Sequence, residues 1–143
     1  MGFLSSVFGE KKDTHPALDR DSVAGRRIAQ RQLELESFVR KVKDRIELVP
    51  AQDATYVFIG KPPGSFGVAW LADGREQSMK TLMQERGLSA ANVQILSDQL
   101  RDVYSAHMNE ERYQADIAGK SVLVTPSDAL AADVRRIVDA VAK

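Results

Sequence analysis

The residues of this chain best suited to binding or chemistry are one lysine, two aromatic residues and one histidine: Lys61, Phe66, Trp70 and His107. Lys61 belongs to the loop Gly60–Ser65, which separates two runs typical of β-strands. The loop resembles a phosphate cradle only loosely, because its two prolines remove backbone N–H donors. Exposed loops between strands often contact partners, so Lys61, Phe66 and Trp70 are the candidates for a binding surface, which an outward aromatic ridge would mark. The alternative is a purely structural loop with the aromatic residues in the core, and for Trp70 the core is the favoured position.

His107 is the other candidate, because imidazole can act as a general base or a metal ligand. Glu110 and Glu111 lie close to it in sequence. A metal site normally needs three or four converging ligands, and the alternative is that His107 caps the C-terminus of a helix. We therefore predict no metal, no cofactor and no catalytic residue. An enzyme would need an active site assembled from scattered residues.

The charge balance argues against nucleic acid and anionic membranes as partners. The chain of 143 residues has 20 lysines and arginines, 20 aspartates and glutamates, and no cysteine. No basic segment is available to neutralise phosphates, and nothing indicates a particular small molecule. The lack of cysteine suits a reducing compartment, so we expect a cytoplasmic protein.

The N-terminal twenty residues are predicted to form a flexible tail before a single domain at residues 21–143. Apolar residues dominate its first nine positions, followed by Glu10, Lys11 and Lys12. This order is the reverse of a signal peptide. A frayed terminus or a contact with a neighbouring subunit is the expected state, and the alternatives are a short amphipathic membrane anchor or myristoylation at Gly2.

The strongest helical pattern covers Ser22–Val49, where apolar residues recur at intervals of seven: Ile28, Leu35, Val42 and Val49. This stripe predicts one long amphipathic helix that ends before Pro50. Further patterns predict strands at residues 55–59, 66–71, 75–78 and 121–125, a pair of helices at 80–86 and 89–104, and a final helix from Asp128.

The helical pair resembles the helix-turn-helix of DNA-binding regulators over about 17 residues. A short helix around Thr81-Leu82 is followed by Gly87 in the turn and by Leu88 and Ser89, and the inward anchors are Val93 and Leu96. The resemblance implies a DNA-binding regulator at residues 80–96. The alternative is a plain helical hairpin, because the would-be recognition face has no cation before Arg101.

Together these patterns predict an α+β fold of two layers. A small, mostly antiparallel sheet, made from the hairpin and the C-terminal strand, is covered by the long N-terminal helix, the helical pair and the C-terminal helix. Without a catalytic motif, we expect a cytoplasmic binding or regulatory module acting through protein–protein contacts. The seven-residue stripe suggests a homodimer, although the same stripe would equally cover the chain's own sheet.

Overall fold

The computed structural model describes residues 15–62 and 64–142. Six strands are present: β1 (Ile46–Pro50), β2 (Thr55–Gly60), β3 (Phe66–Ala72), β4 (Arg75–Ser78), β5 (Tyr113–Ile117) and β6 (Lys120–Val124). Five helices accompany them: α1 (Val23–Gln30), α2 (Gln32–Lys41), α3 (Met79–Arg86), α4 (Ala90–Ala106) and α5 (Asp128–Ala142). The chain is therefore mixed α+β, as predicted.

All six strands form one sheet in the order β4-β3-β2-β1-β6-β5. The first four strands make an antiparallel meander, and β5 and β6 make an antiparallel hairpin. The hairpin joins the meander where β6 runs parallel to β1. Because β1 and β6 are parallel, their carboxyl ends meet at the same edge of the sheet.

The prediction of one long N-terminal helix is wrong. The helix is interrupted at Arg31, and α2 ends at Lys41, after which Val42 has an extended backbone with φ −108° and ψ 125°. Residues Ile46–Pro50 instead form β1, and all five of these residues are buried. A continuous buried run suits a strand that pairs on both sides and is covered on both faces, and this tertiary pairing outweighs the helical spacing.

The prediction of a small two-layer sheet is also wrong, because helices cover both faces of the six strands. One face packs against α1 and α2 through Ile28, Leu35, Phe38 and Val39. The other face packs against α3, α4 and α5 through Leu82, Leu96, Leu100, Leu130 and Val134. Two separate apolar cores result, and the strands β1, β2 and β3 contribute to both.

The turns and caps follow the local sequence closely. Asp73 and Gly74 have φ of 54° and 71°, the left-handed conformation of a tight two-residue hairpin turn, and β4 follows as predicted. Gly87 ends α3 in the left-handed conformation, and the Ser89 side chain accepts from the Asn92 N–H at the start of α4. The predicted helical pair is thus present. The strand β5 was not predicted.

Among the described residues, no helix has the length and apolar character to cross a membrane. The segment for which an amphipathic anchor or myristoylation was considered, residues 1–12, lies outside the described residues. The later part of the predicted tail does have a place in the fold. Leu18 donates its N–H to the Gln114 carbonyl at 2.8 Å, and Gln114 donates to the Pro16 carbonyl at 2.9 Å.

Candidate functional site

The structure places the four sequence-predicted residues in different surroundings. Lys61 is exposed in the loop after β2, where its N–H donates to the Ser65 carbonyl at 3.0 Å. Phe66 is partly buried, and the guanidinium carbon of Arg101 on α4 lies 5.5 Å from its ring centre. Lys61 and Phe66 therefore lie at the same loop, and Phe66 faces α4.

Trp70 does not form an outward aromatic ridge. Its side chain is buried among the residues of the core under α3, α4 and α5, with a residue exposure of 5%. The indole Nε1 donates to the Gln77 Oε1 at 3.0 Å across the β3–β4 pair, which satisfies its only polar group. Trp70 is therefore a core residue within this chain, and it stands apart from the exposed Lys61.

A buried carboxylate, Glu47 on β1, is the centre of a polar network that was not among the sequence predictions. Glu47 is only 3% exposed. Its Oε1 accepts from the Tyr104 hydroxyl at 2.7 Å, and its Oε2 accepts from the Thr125 hydroxyl at 2.6 Å and from the Arg112 Nε at 3.1 Å. Three donors and one opposite charge thus compensate for the removal of this carboxylate from water.

The network fixes the ionisation of the groups around Glu47. Burial, together with the adjacent Glu47 carboxylate, raises the pKa of Tyr104 to about 12. Burial alone would lower the pKa of Arg112, but the adjacent Glu47 carboxylate outweighs burial and raises it. At neutral pH Tyr104 is therefore a neutral donor and Arg112 a cation, and both are engaged by Glu47.

A second polar group adjoins the first and contains His107, at the C-terminal end of α4. The Nδ1 lies 2.9 Å from the Glu110 Oε2, and the Nε2 lies 2.9 Å from the Asp133 Oδ2 on α5. Hydrogen bonds to Asp133 and then to Glu110 raise the pKa of His107, and the same bonds lower the pKa of both carboxyls. Both ring nitrogens thus face carboxylates, an arrangement that favours the imidazolium form.

Two other contacts complete this second group. The Ser127 hydroxyl donates to the Glu110 Oε2 at 2.9 Å and accepts from the Leu130 N–H at 3.1 Å, so Ser127 caps α5. Arg136 Nη1 donates to the other oxygen of Asp133 at 3.0 Å. The described residues include no cluster of His, Asp and Glu suited to holding a metal ion. The arrangement ties α4 to α5.

A groove lies elsewhere, between α1 and the β5–β6 hairpin. It has a volume of about 620 Å³. Its apolar lining comes from Ala17, Leu18, Ile28, Ala29, Ala115 and Ile117, and its polar lining includes His15, Arg20, Gln32, Gln114, Asp116 and Ser121. A concave surface of this size, with apolar contacts and a few polar groups, has the general character of a ligand-binding site.

One wall of the groove is the segment His15–Arg20, and its position depends on Gly25 in α1. A Cβ at Gly25 would lie 2.4 Å from the Asp19 carbonyl oxygen and 2.7 Å from the Arg20 carbonyl oxygen. Only glycine permits such a close approach of the backbone. The segment is therefore seated against α1 by a specific residue, and it pairs with β5 on its other side.

Comparison of the chain with protein-family models, with curated proteins and with solved structures gives no match in any of the three. The assignment of a function therefore depends on the geometry of the chain itself.

Sequence reasoning found His107 but missed the groove and the buried network. Glu47 fell within the predicted long helix, and a charged residue of an amphipathic helix is expected on the solvent-exposed face. The available signal was the pattern Ile46-Glu47-Leu48-Val49, in which one charge interrupts an apolar run before Pro50. The groove gave no such signal, because its walls come from residues 15–32 and 114–121, which are distant in sequence.

Proposed function

We propose that this chain is a non-catalytic cytoplasmic binding or regulatory module, and that it contacts a protein partner through the groove between α1 and the β5–β6 hairpin. The observation that supports this proposal is the groove itself: about 620 Å³ of concave surface with apolar and polar walls. Its charged residues, Arg20 and Asp116, have opposite signs. The groove therefore favours an occupant that combines apolar side chains with polar backbone groups.

An extended segment of a partner protein fits this description best. The chain already adds its own residues Pro16–Leu18 to β5 as a parallel extended segment, with hydrogen bonds to both backbone groups of Gln114. Asp116 is two residues further along the same edge and shares that orientation, since backbone groups alternate along a strand. A partner segment could continue this pairing and place apolar side chains against Ile28 and Ile117.

The polar networks support a non-catalytic role. His107 has both ring nitrogens engaged by carboxylates, and Tyr104 is a neutral donor to Glu47. A general base needs an accessible lone pair near a bound substrate. Neither His107 nor Lys61 lines the groove. An enzyme with a site at these residues remains the weaker alternative.

A second copy of the chain is the other protein partner to consider. The seven-residue stripe that suggested a homodimer is largely buried within the chain, because Ile28 and Leu35 pack on the sheet and Val49 belongs to β1. Self-association would therefore need a different surface, and the groove is the candidate. Sedimentation at concentrations well above micromolar separates this case from binding of a different protein.

The proposal is tested by filling the groove. Ala29 is exposed on α1 and lines it, whereas Ala91 is equally exposed on α4 and does not. Peptides selected from a random display library on the native protein should bind Ala91→Trp and lose binding to Ala29→Trp. The proposal fails if selected peptides bind both variants equally, or if none is recovered and the protein shows no self-association.

Binding to DNA stays a separate prediction, based on the helical pair α3–α4. Leu82 and Leu96 are buried as a helix-turn-helix would require. However, Arg101, the first cation on α4, forms an ion pair with Asp98 at 2.9 Å and stacks on Phe66. A salt-sensitive shift of duplex DNA that disappears in the double variant Lys80→Ala, Arg101→Ala would favour DNA binding over the groove, and a flat titration at low salt would exclude it.

A further inference from the structure

A second, smaller pocket lies where α1 faces the carboxyl ends of the parallel strands β1 and β6. It has a volume of about 190 Å³ and is lined by Val23, Arg26, Arg27, Gln30 and Gln52. β1 ends at Pro50, and β6 leads through Pro126 into the start of α5. The carboxyl edge of parallel strands is where open α/β sheets commonly bind ligands.

The arginines of α1 converge on this edge. The Arg27 Nη1 donates to the Asp128 Oδ1 at 2.8 Å and reaches the Pro50 carbonyl at 3.4 Å. The Arg31 Nη2 reaches the Gln52 carbonyl at 3.3 Å. Exposed Arg26 and partly buried Arg27 both line the pocket. Arg31, four residues after Arg27, is not part of the lining but lies beside it through its contact with Gln52. Two arginines of the pocket and one next to it therefore place positive charge at this edge.

The positive charge at this edge exceeds the negative charge that compensates it. Within residues 15–62 and 64–142, Asp128 forms an ion pair with Arg27, while Arg26 and Arg31 form none with any carboxylate. Arg31 is partly buried beside the pocket, and its Nη1 is enclosed by the protein without a hydrogen-bond partner, as is the Nη2 of Arg112. Unlike Arg112, Arg31 has no carboxylate partner among the described residues. Nearby Asp53 pairs instead with Arg135 at 2.7 Å.

A partly buried guanidinium without a counter-ion is costly unless something else supplies the negative charge. We infer that Arg26, Arg27 and Arg31 form a binding site for a phosphate group, either free phosphate or a phosphate monoester. Guanidinium groups suit this ligand because their planar donors match oxyanion geometry. Asp128 competes with the ligand for Arg27, and the ligand supplies the charge that Arg31 lacks.

The experiment is a titration of the full chain with inorganic phosphate and, separately, with glycerol phosphate, at constant ionic strength adjusted with chloride. Binding is followed by ¹H–¹⁵N spectra, with the amides of Val23, Arg27 and Gln52 as reporters. We expect saturable shifts at these amides. Tighter binding of glycerol phosphate would identify a monoester as the ligand, and equal binding would identify the free ion.

Three variants decide the assignment. Arg31→Gln should weaken phosphate binding about tenfold, because a charge-assisted hydrogen bond is lost. Arg40→Gln is the matched control: Arg40 is exposed on α2 and has no described ion pair, so its binding should stay as in the wild type. Asp128→Asn should tighten binding several-fold, because it removes the competing carboxylate from Arg27 without removing a donor.

The site is overturned if Arg31→Gln binds phosphate like the wild type, or if Arg40→Gln loses as much affinity, since attraction would then be non-specific. It is also overturned if Asp128→Asn fails to tighten binding. The last test does not depend on the stability of Arg31→Gln, because the Asp128 side chain is 81% exposed and its replacement leaves the fold intact.

Discussion

Two regions of this protein remove an arginine from water, and they do so in opposite ways. Arg112 lies against Glu47, with the Tyr104 ring centre 5.3 Å from its guanidinium carbon and the carbonyls of Met108 and Glu110 accepting from its Nη1. Arg31 has one long hydrogen bond to a carbonyl and no described carboxylate. Each arginine keeps one buried nitrogen without a hydrogen-bond partner, Nη2 in Arg112 and Nη1 in Arg31. The fold supplies a carboxylate to Arg112 and none to Arg31.

The difference separates a structural network from a binding site. Around Glu47 the carboxylate and the Arg112 guanidinium compensate each other's charge, so a ligand would have to break an existing ion pair to enter. Around Arg31 a ligand would supply an opposite charge that no described carboxylate provides. Buried charge alone therefore does not identify a functional site, and the informative feature is charge that the chain itself leaves uncompensated.

The largest effect on stability should come from breaking the compensated pair. We expect Arg112→Leu to lower the free energy of unfolding by about 3–5 kcal/mol, because Glu47 would be left as a buried carboxylate without an opposite charge. Chemical denaturation of both proteins measures this difference. A loss below about 1 kcal/mol would mean that Glu47 is compensated by its hydroxyl donors alone, and the comparison with Arg31 would then fail.

A smaller loss should follow from removing one donor to Glu47 while the ion pair stays. Tyr104→Phe deletes the hydroxyl that donates to Glu47, and we expect a loss of about 1.5–3 kcal/mol, the range for hydrogen bonds to charged groups. Tyr113→Phe is the matched control, since the Tyr113 hydroxyl contacts Glu111 at the surface and its loss should have no resolvable effect. Equal losses in the two variants would contradict a special role for Tyr104.

Absorbance titration gives an independent check on the same tyrosine. Because burial and the Glu47 carboxylate raise the pKa of Tyr104 to about 12, its phenolate should appear only at the alkaline end of a titration of the folded protein. The difference between the wild type and Tyr104→Phe isolates this group. Ionisation of Tyr104 near pH 10 would place its hydroxyl in water rather than on Glu47.

The comparison also explains what the sequence could and could not reveal. Local signals predicted the hairpin of β2 and β3, the turn at Asp73-Gly74, the Gly87 cap and the amphipathic α5, because each depends on residues close in the chain. The interruption at Arg31 and the strand β1 were missed, since β1 is stabilised by pairing with β2 and with the distant β6. Because residues 46–50 were assigned to a helix, the prediction also missed that helices cover both faces of the sheet.

Sites were harder to predict than elements for the same reason. His107 attracted attention as a residue type, but its partner Asp133 is 26 residues away. Glu47 meets Arg112 and Thr125 across separations of 65 and 78 residues. Arg27 meets Asp128 across 101 residues. No periodicity encodes these contacts, because each one joins elements that the tertiary fold brings together from distant parts of the chain.

Replacing His107 should have an intermediate effect on the free energy of unfolding, because its charge is compensated but partly exposed to solvent. Its pKa is raised by Asp133 and Glu110, so its contribution to stability is present at low pH and is lost as the pH rises through the raised pKa, above about 6.5. The lowered pKa values of Glu110 and Asp133 set the acid limit, because their contribution is lost as the pH falls through those values.

The measurement is the difference in unfolding free energy between the wild type and His107→Gln as a function of pH. We expect a difference of about 1 kcal/mol near pH 6 that shrinks towards pH 9, in line with partly exposed ion pairs. Ser127 and Arg136, which also contact these carboxylates, are unchanged in both proteins. A difference that stays constant over this range would show that His107 acts through packing and not through its charge.

The smallest effect should come from the uncompensated arginine, and it completes the comparison. Arg31→Leu makes the same chemical change as Arg112→Leu, but no described carboxylate loses its partner, so we expect a change in stability within about 1 kcal/mol in phosphate-free buffer. Added phosphate should then stabilise the wild type more than the variant, because a ligand that binds the folded state raises stability by mass action. If Arg31→Leu were as damaging as Arg112→Leu, Arg31 would be a structural residue, and the distinction between compensated and uncompensated charge would not hold for this protein.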